Sequence, residues 1–112
     1  MYSDDRLPTD MLVRAGLLAC SAQAIPAYVI RKGDAQGGMV LLRLEQRDGV
    51  QLLSQTRDID GNQGWMALFP KGPVDRFEAD AAQERAISRD SDLWVIEIEH
   101  PDGWHPFEGD LL

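Results

Sequence analysis

The stretch GMVLLRLEQRDGVQLLSQTRDIDGNQGWMALF, Gly38 to Phe69, decides the fold. It reads as three consecutive antiparallel strands, Met39 to Arg47, Val50 to Arg57 and Trp65 to Phe69, with turns at Asp48-Gly49 and Asp60-Gly61. Asp-Gly between alternating apolar runs signals a hairpin, because glycine takes the positive φ that a type I′ turn needs. In the first strand Val40, Leu42 and Leu44 share one face, while Arg43, Glu45 and Arg47 share the other. That period of two predicts a half-exposed sheet, with one face on the core and one meeting water or a partner.

Upstream, Pro8-Thr9-Asp10 opens a helix that runs to about Ser21, with Thr9 as N-cap and the Asp10 carboxylate at the positive end of the helix dipole. Met11, Leu12, Ala15, Leu17, Leu18 and Ala19 cover most of its circumference, which predicts a mostly buried helix. Gly16, costly inside a helix, predicts close approach of another backbone. Pro26 separates this helix from the strand Ala27 to Arg31, and the Gly-rich segment Lys32 to Gly38 reads as a hairpin loop. It is no phosphate cradle, because it lacks a Gly-Lys-Ser/Thr ending and no helix follows it.

Downstream, Pro70-Lys71-Gly72-Pro73 breaks the sheet, and Val74 to about Arg89 reads as a second helix with Phe77 and Ala81 inward and Ile87 near their edge. Leu93 to Glu99 follows as a strand in which Trp94, Ile96 and Ile98 alternate with Glu97 and Glu99. The expected fold is therefore α+β, in the order α-β-β-β-β-α-β: a central antiparallel β-meander of about five strands with two helices packed mainly on one face. The last strand could pair with either edge of the meander. One domain is expected over residues 1–112, with a loose terminus over 1–7 and a turn-rich tail over 100–112 in which Trp104 and Phe107 are candidate anchors.

Composition excludes several classes of function. With 112 residues and 44% hydrophobic content the chain can bury one core. The net charge of −8 repels a phosphate backbone and an anionic membrane, so neither nucleic acid nor membrane is an expected partner. No run approaches the roughly 18 apolar residues that span a bilayer. Cys20, the lone cysteine, rules out an intrachain disulfide and a cysteine-rich zinc site and fits a reducing cytoplasm. Leu17-Leu18-Ala19-Cys20 is like a lipoprotein cleavage box and Ala22-Gln23-Ala24 like a signal-peptidase site, but three aspartates precede the run and Arg14 interrupts it. A buried helix accounts for the same residues.

The densest polar group is Arg57, Asp58, Asp60, Gly61, Asn62 and Gln63, leading into Gly64-Trp65. Asp58, Asp60 and Asn62 alternate like the first ligands of a calcium loop, yet Gln63 and Phe69 stand where such a loop needs Gly and Glu. A turn whose Asp side chains bond their own backbone is the reading carried forward. His100 and His105, with Asp102 between them, lack a third fixed metal ligand. Cys20 has no electropositive setting to make a thiolate, and Ser54 sits mid-strand. No catalytic residue, metal or cofactor is therefore assigned. The binding candidates are Arg57, Asp58, Asp60, Trp65, Asp92 and Trp94, because tryptophan beside Arg and Asp is a common recognition composition.

Leu7-Pro8-Thr9, Arg14-Ala15, Ile25-Pro26-Ala27, Arg31-Lys32-Gly33-Asp34, Arg57-Asp58 with Asp60-Gly61, Gly64-Trp65, and Arg89 to Val95 with Glu97 together carry a resemblance. In order and spacing the chain resembles domain-of-unknown-function family 1491, small alphaproteobacterial proteins, over nearly its whole length; Ser91 stands where the family pattern carries Pro. The resemblance implies a cytoplasmic bacterial single-domain protein and transfers no activity, cofactor or site residue. The leading functional expectation is a non-enzymatic protein–protein interaction module, with a homodimer through the open sheet face or an edge strand as one form. The second is a small-molecule binder or enzyme with a pocket near Arg57, Asp58, Trp65 and Trp94.

Overall fold

The computed structural model describes residues 7–112. Its elements are α1 (Thr9–Ala22), β1 (Ala27–Arg31), β2 (Val40–Gln46), β3 (Gly49–Arg57), β4 (Gln63–Ala67), α2 (Arg76–Arg89), β5 (Trp94–Glu99) and β6 (Asp110–Leu111). Apart from Leu7, the terminus expected to be loose lies outside the described residues. The α+β class, the order of the first seven elements and the β2–β3–β4 meander agree with the expectation, Leu42 standing opposite Leu53 and Leu53 opposite Ala67. The tail adds β6, too short at two residues to show a period.

The first turn differs in detail. Gln46 pairs with Gly49, so Arg47 and Asp48 are the central residues and neither has positive φ. Gly49 closes the turn at φ 136°, which the mirror-image type I′ turn does not require.

The sheet order is β1-β5-β2-β3-β4-β6. β5 lies antiparallel to β1 and parallel to β2, so the segment from Lys32 to Gly38 is not a hairpin loop: it crosses the head of β5. Arg31 Nη1 donates to Leu93 O (2.7 Å), Asp34 N–H to Asp92 O (2.9 Å) and Trp94 Nε1 to Asp34 O (2.8 Å), fastening the crossing. The reason is in β5 itself, where Val95 and Ile96 point to opposite faces and both are buried. A strand apolar on successive positions belongs in the middle of a sheet with both faces covered.

The helices accordingly pack on opposite faces, not mainly on one. Val13 and Cys20 of α1 join Val40, Leu42, Leu44, Leu53, Trp65, Trp94, Ile96 and Ile98 in one core layer. Ala82 of α2 joins Leu41, Leu52, Leu93 and Val95 in the other. The face of β2 expected to meet water or a partner is thus under α2. Arg43 is only 5% exposed there, with Nε 2.8 Å from Glu45 Oε2 and Nη1 2.7 Å from Asp80 Oδ1 and 3.1 Å from Gln83 Oε1. A buried guanidinium needs this number of acceptors, since leaving it unpaired costs several kcal/mol.

Register explains the remaining differences in the helices. α2 begins at Arg76, two residues later than expected, because Val74 instead exchanges backbone hydrogen bonds with Val50 (2.8 and 2.9 Å). Asp75 caps the helix by accepting from Glu78 N–H at 2.8 Å. Ala79 and Ala82, three apart, then face the sheet, and Phe77 points outward at 85% exposure. Thr9 is the first residue of α1 and not its cap. Its hydroxyl donates to Gly38 O (2.8 Å), while the N–H groups of Thr9 and Asp10 donate to Gln36 O (3.2 Å) and Ala35 O (3.0 Å). The β1–β2 crossing thereby caps the helix with backbone carbonyls. α1 is less buried than its sequence suggests, with Met11, Ala15 and Leu18 exposed. Among the described residues no helix is long and apolar enough to cross a membrane.

Candidate functional site

Leu53, Gln55 and Arg57 alternate along β3, and because Leu53 lies in the α1 layer the other two point to the same face. There they border a cleft of about 700 Å³. Val40, Gln55 and Trp65 form its floor, Leu12, Ala15, Gly16 and Ala19 of α1 one wall, and the tail from Pro106 to Gly109 the other. A second lobe of about 350 Å³ opens over Pro8, Thr9 and Gln36 to Met39. Leu7, Leu12, Gln55, Arg57 and Gln63 border both lobes and so make up the neck between them.

The tail shapes this cleft. Phe107 lies against Gly16, where a Cβ would stand 2.4 Å from the ring's Cζ, so the close approach expected at this glycine is to a side chain and not to a backbone. Trp65, 1% exposed, donates from Nε1 to Glu108 O (2.9 Å) and meets His105 and Phe107 edge-on at centroid distances of 5.7 and 6.3 Å. Trp104 and Phe107 do anchor the tail to the core.

Of the six binding candidates, Arg57 and Trp65 reach the cleft. Arg57 holds its guanidinium by donating from Nη1 to Gly61 O at 2.8 Å. Asp58 is committed to the β3–β4 turn, accepting the N–H groups of Asp60 and Asn62 at 2.9 Å each. The N–H of Asn62 leads the causes that hold its carboxyl below the usual range. Asp60 is exposed near the tip of the same turn. Trp94 shares the α1 face but is a buried strut under the β1–β2 crossing, and Asp92 is exposed beside it, its carbonyl occupied by Asp34 N–H. Neither borders the cleft. Gln55, Leu12 and Phe107 border the cleft and were not among the binding candidates. Gln55 left a signal in the sequence, as a polar residue at an inward position of β3.

His100 and His105 serve separate local turns, each Nδ1 accepting the N–H two residues ahead, from Asp102 (3.1 Å) and Phe107 (3.2 Å). Among the described residues no group of three or more His, Cys, Asp or Glu could hold a metal ion. Cys20 is buried, and burial pushes its thiol up.

A second surface lies at the sheet edge. Tyr28, Val29 and Ile30 of β1 are 48, 40 and 48% exposed, whereas β6 at the opposite edge offers two residues. The Glu99 N–H donates to Pro26 O (3.0 Å), and Tyr28 stands opposite Glu97. The alternation of an antiparallel ladder then turns the N–H and C=O of Ala27 and Val29 to the open side.

Among the described residues these features define an α+β class of protein, with two helices on opposite faces of a six-stranded mixed sheet and a tail closing a cleft beside one of them. The chain belongs to the family described as protein of unknown function (DUF1491), whose profile matches residues 7–108. It is similar to a DUF1491 family protein from Caulobacter crescentus, solved as a crystal structure, at 37% identity and a TM-score of 0.81, covering 94% of this chain and 99% of that one. An NMR structure of a DUF1491 family protein from the same organism gives 35% identity and a TM-score of 0.80, over 95% and 96%. Protein Atu0922 from A. tumefaciens gives 29% identity and a TM-score of 0.71, over 85% and 86%. No curated protein matches the chain.

Proposed function

We propose that the chain is a non-enzymatic interaction module of the cytoplasm that pairs with a second copy of itself through the free edge of β1. The exposed apolar run Tyr28-Val29-Ile30 on a strand whose outer edge is open among the described residues carries this reading, since such an edge is a template for another strand. The sheet faces are a poorer choice, each being covered by a helix. Between Val29 and Arg31 the β1–β5 register slips by one residue, so the regular open ladder that a second copy meets is Ala27 to Val29.

Native mass spectrometry near cellular concentration is the test, with a dimer expected. Val29→Pro removes an outward N–H and leaves the β1–β5 ladder intact, so it yields a folded monomer. A strictly monomeric wild type, or a dimer indifferent to Val29→Pro, would overturn the reading.

A further inference from the structure

We propose that the cleft between α1, β3 and the tail is a binding site for a small monocarboxylic acid with an apolar body, its carboxylate at the neck and its body in the larger lobe. This does not rest on pairing through β1, from which β3 is separated by two strands. The larger lobe, about 700 Å³, lies in the range of small-molecule sites. Its walls are apolar at Leu12, Ala15, Ala19, Val40 and Phe107, so water filling it finds few partners.

The polar groups gather at the neck. Gln55 Oε1 accepts the N–H of Val40 at 2.8 Å, which fixes the amide plane at the neck and leaves its NH₂ with no acceptor among the described residues. Arg57 follows two residues on, about 7 Å along the same strand face. Its guanidinium, steadied by Gly61 O, brings the single positive charge of the lining among the described residues. An amide donor and a guanidinium at this spacing suit the two oxygens of a carboxylate, a charge-assisted acceptor for both. Glu108, the single acid of the lining among the described residues, selects against a dianion such as a phosphate monoester.

The test titrates the full chain with octanoate and with 3-phenylpropanoate, using octanol and 3-phenylpropanol as neutral counterparts, followed by indole fluorescence and by amide chemical shifts at Gln55, Arg57 and Phe107. Both acids are expected to bind more tightly than their alcohols and to move those amides. Arg57→Leu, at an exposed position, is expected to weaken acid binding about 10- to 100-fold while leaving the alcohols unchanged. Gln55→Glu, which keeps an acceptor for Val40, is expected to do the same by repulsion. Equal affinity for acid and alcohol, no shift at the cleft amides, or acid affinity unchanged in Arg57→Leu would overturn the proposal.

Discussion

Arg43 is the residue on which the α2 face depends. It lies in a ring of acceptors from two elements, Glu45 on its own strand and Asp80 and Gln83 on α2, with Glu97 of β5 at 3.5 Å. Replacing it by Met fills the volume and leaves Glu45 and Glu97 without their shared cation, although Arg76 still reaches Glu45 at 2.8 Å. A loss of about 3 kcal/mol is expected for Arg43→Met, read from the urea midpoint at unchanged slope. The sequence placed Arg43 and Glu45 on one strand face and could go no further. An alternating polar strip looks the same whether water or a polar helix covers it. Gln55 is the converse case, a polar side chain at an inward position of β3 whose place in a cleft depends on α1 and the tail, both distant in the chain.

Elements form where local chemistry says they should, and their neighbours are set by burial on both sides. The Asp58–Asn62 turn, the break at Pro70 to Pro73 and the alternation of β5 were legible because each is decided within a few residues. That β5 enters between β1 and β2 was not legible, because it depends on which strand must have two covered faces. The Lys32–Gly38 crossing then does two jobs, spanning the head of β5 and capping α1. Thr9 links them through its hydroxyl bond to Gly38 O, a contact buried on both sides. Thr9→Val keeps the shape and strands that carbonyl. A loss of about 1 kcal/mol is expected in thermal or urea unfolding, with hydrogen-exchange protection falling first in the opening turn of α1.

At the scale of the molecule, the tail turns two packed layers into a sheet with a cleft. It leaves β5, crosses the α1 face and returns as β6 beside β4, where Gly64 faces Asp110 and Trp65 faces Leu111. Its hold depends on His105 and Phe107 against Trp65, and His105 gives that hold a pH dependence. Burial lowers the His105 pKa from its ordinary 6.5, so the folded state favours the neutral ring. The unfolded chain takes up the proton first as pH falls. Stability is therefore full above about 6.5 and declines as pH falls below it, toward and through the lower folded pKa. The neutral ring also accepts the Phe107 N–H at Nδ1, a bond that protonation removes. Acidification from pH 7.5 to 5 is thus expected to lower the exchange protection of the Trp65 indole N–H, which is tied to Glu108 O, measured against the intrinsic exchange rate at each pH, before the protection of the β2–β3 amides falls. His105→Gln should flatten this pH dependence relative to wild type. If the indole kept the same protection across that range, with every β-sheet amide also equally protected, His105 would not be the group that links proton uptake to tail docking.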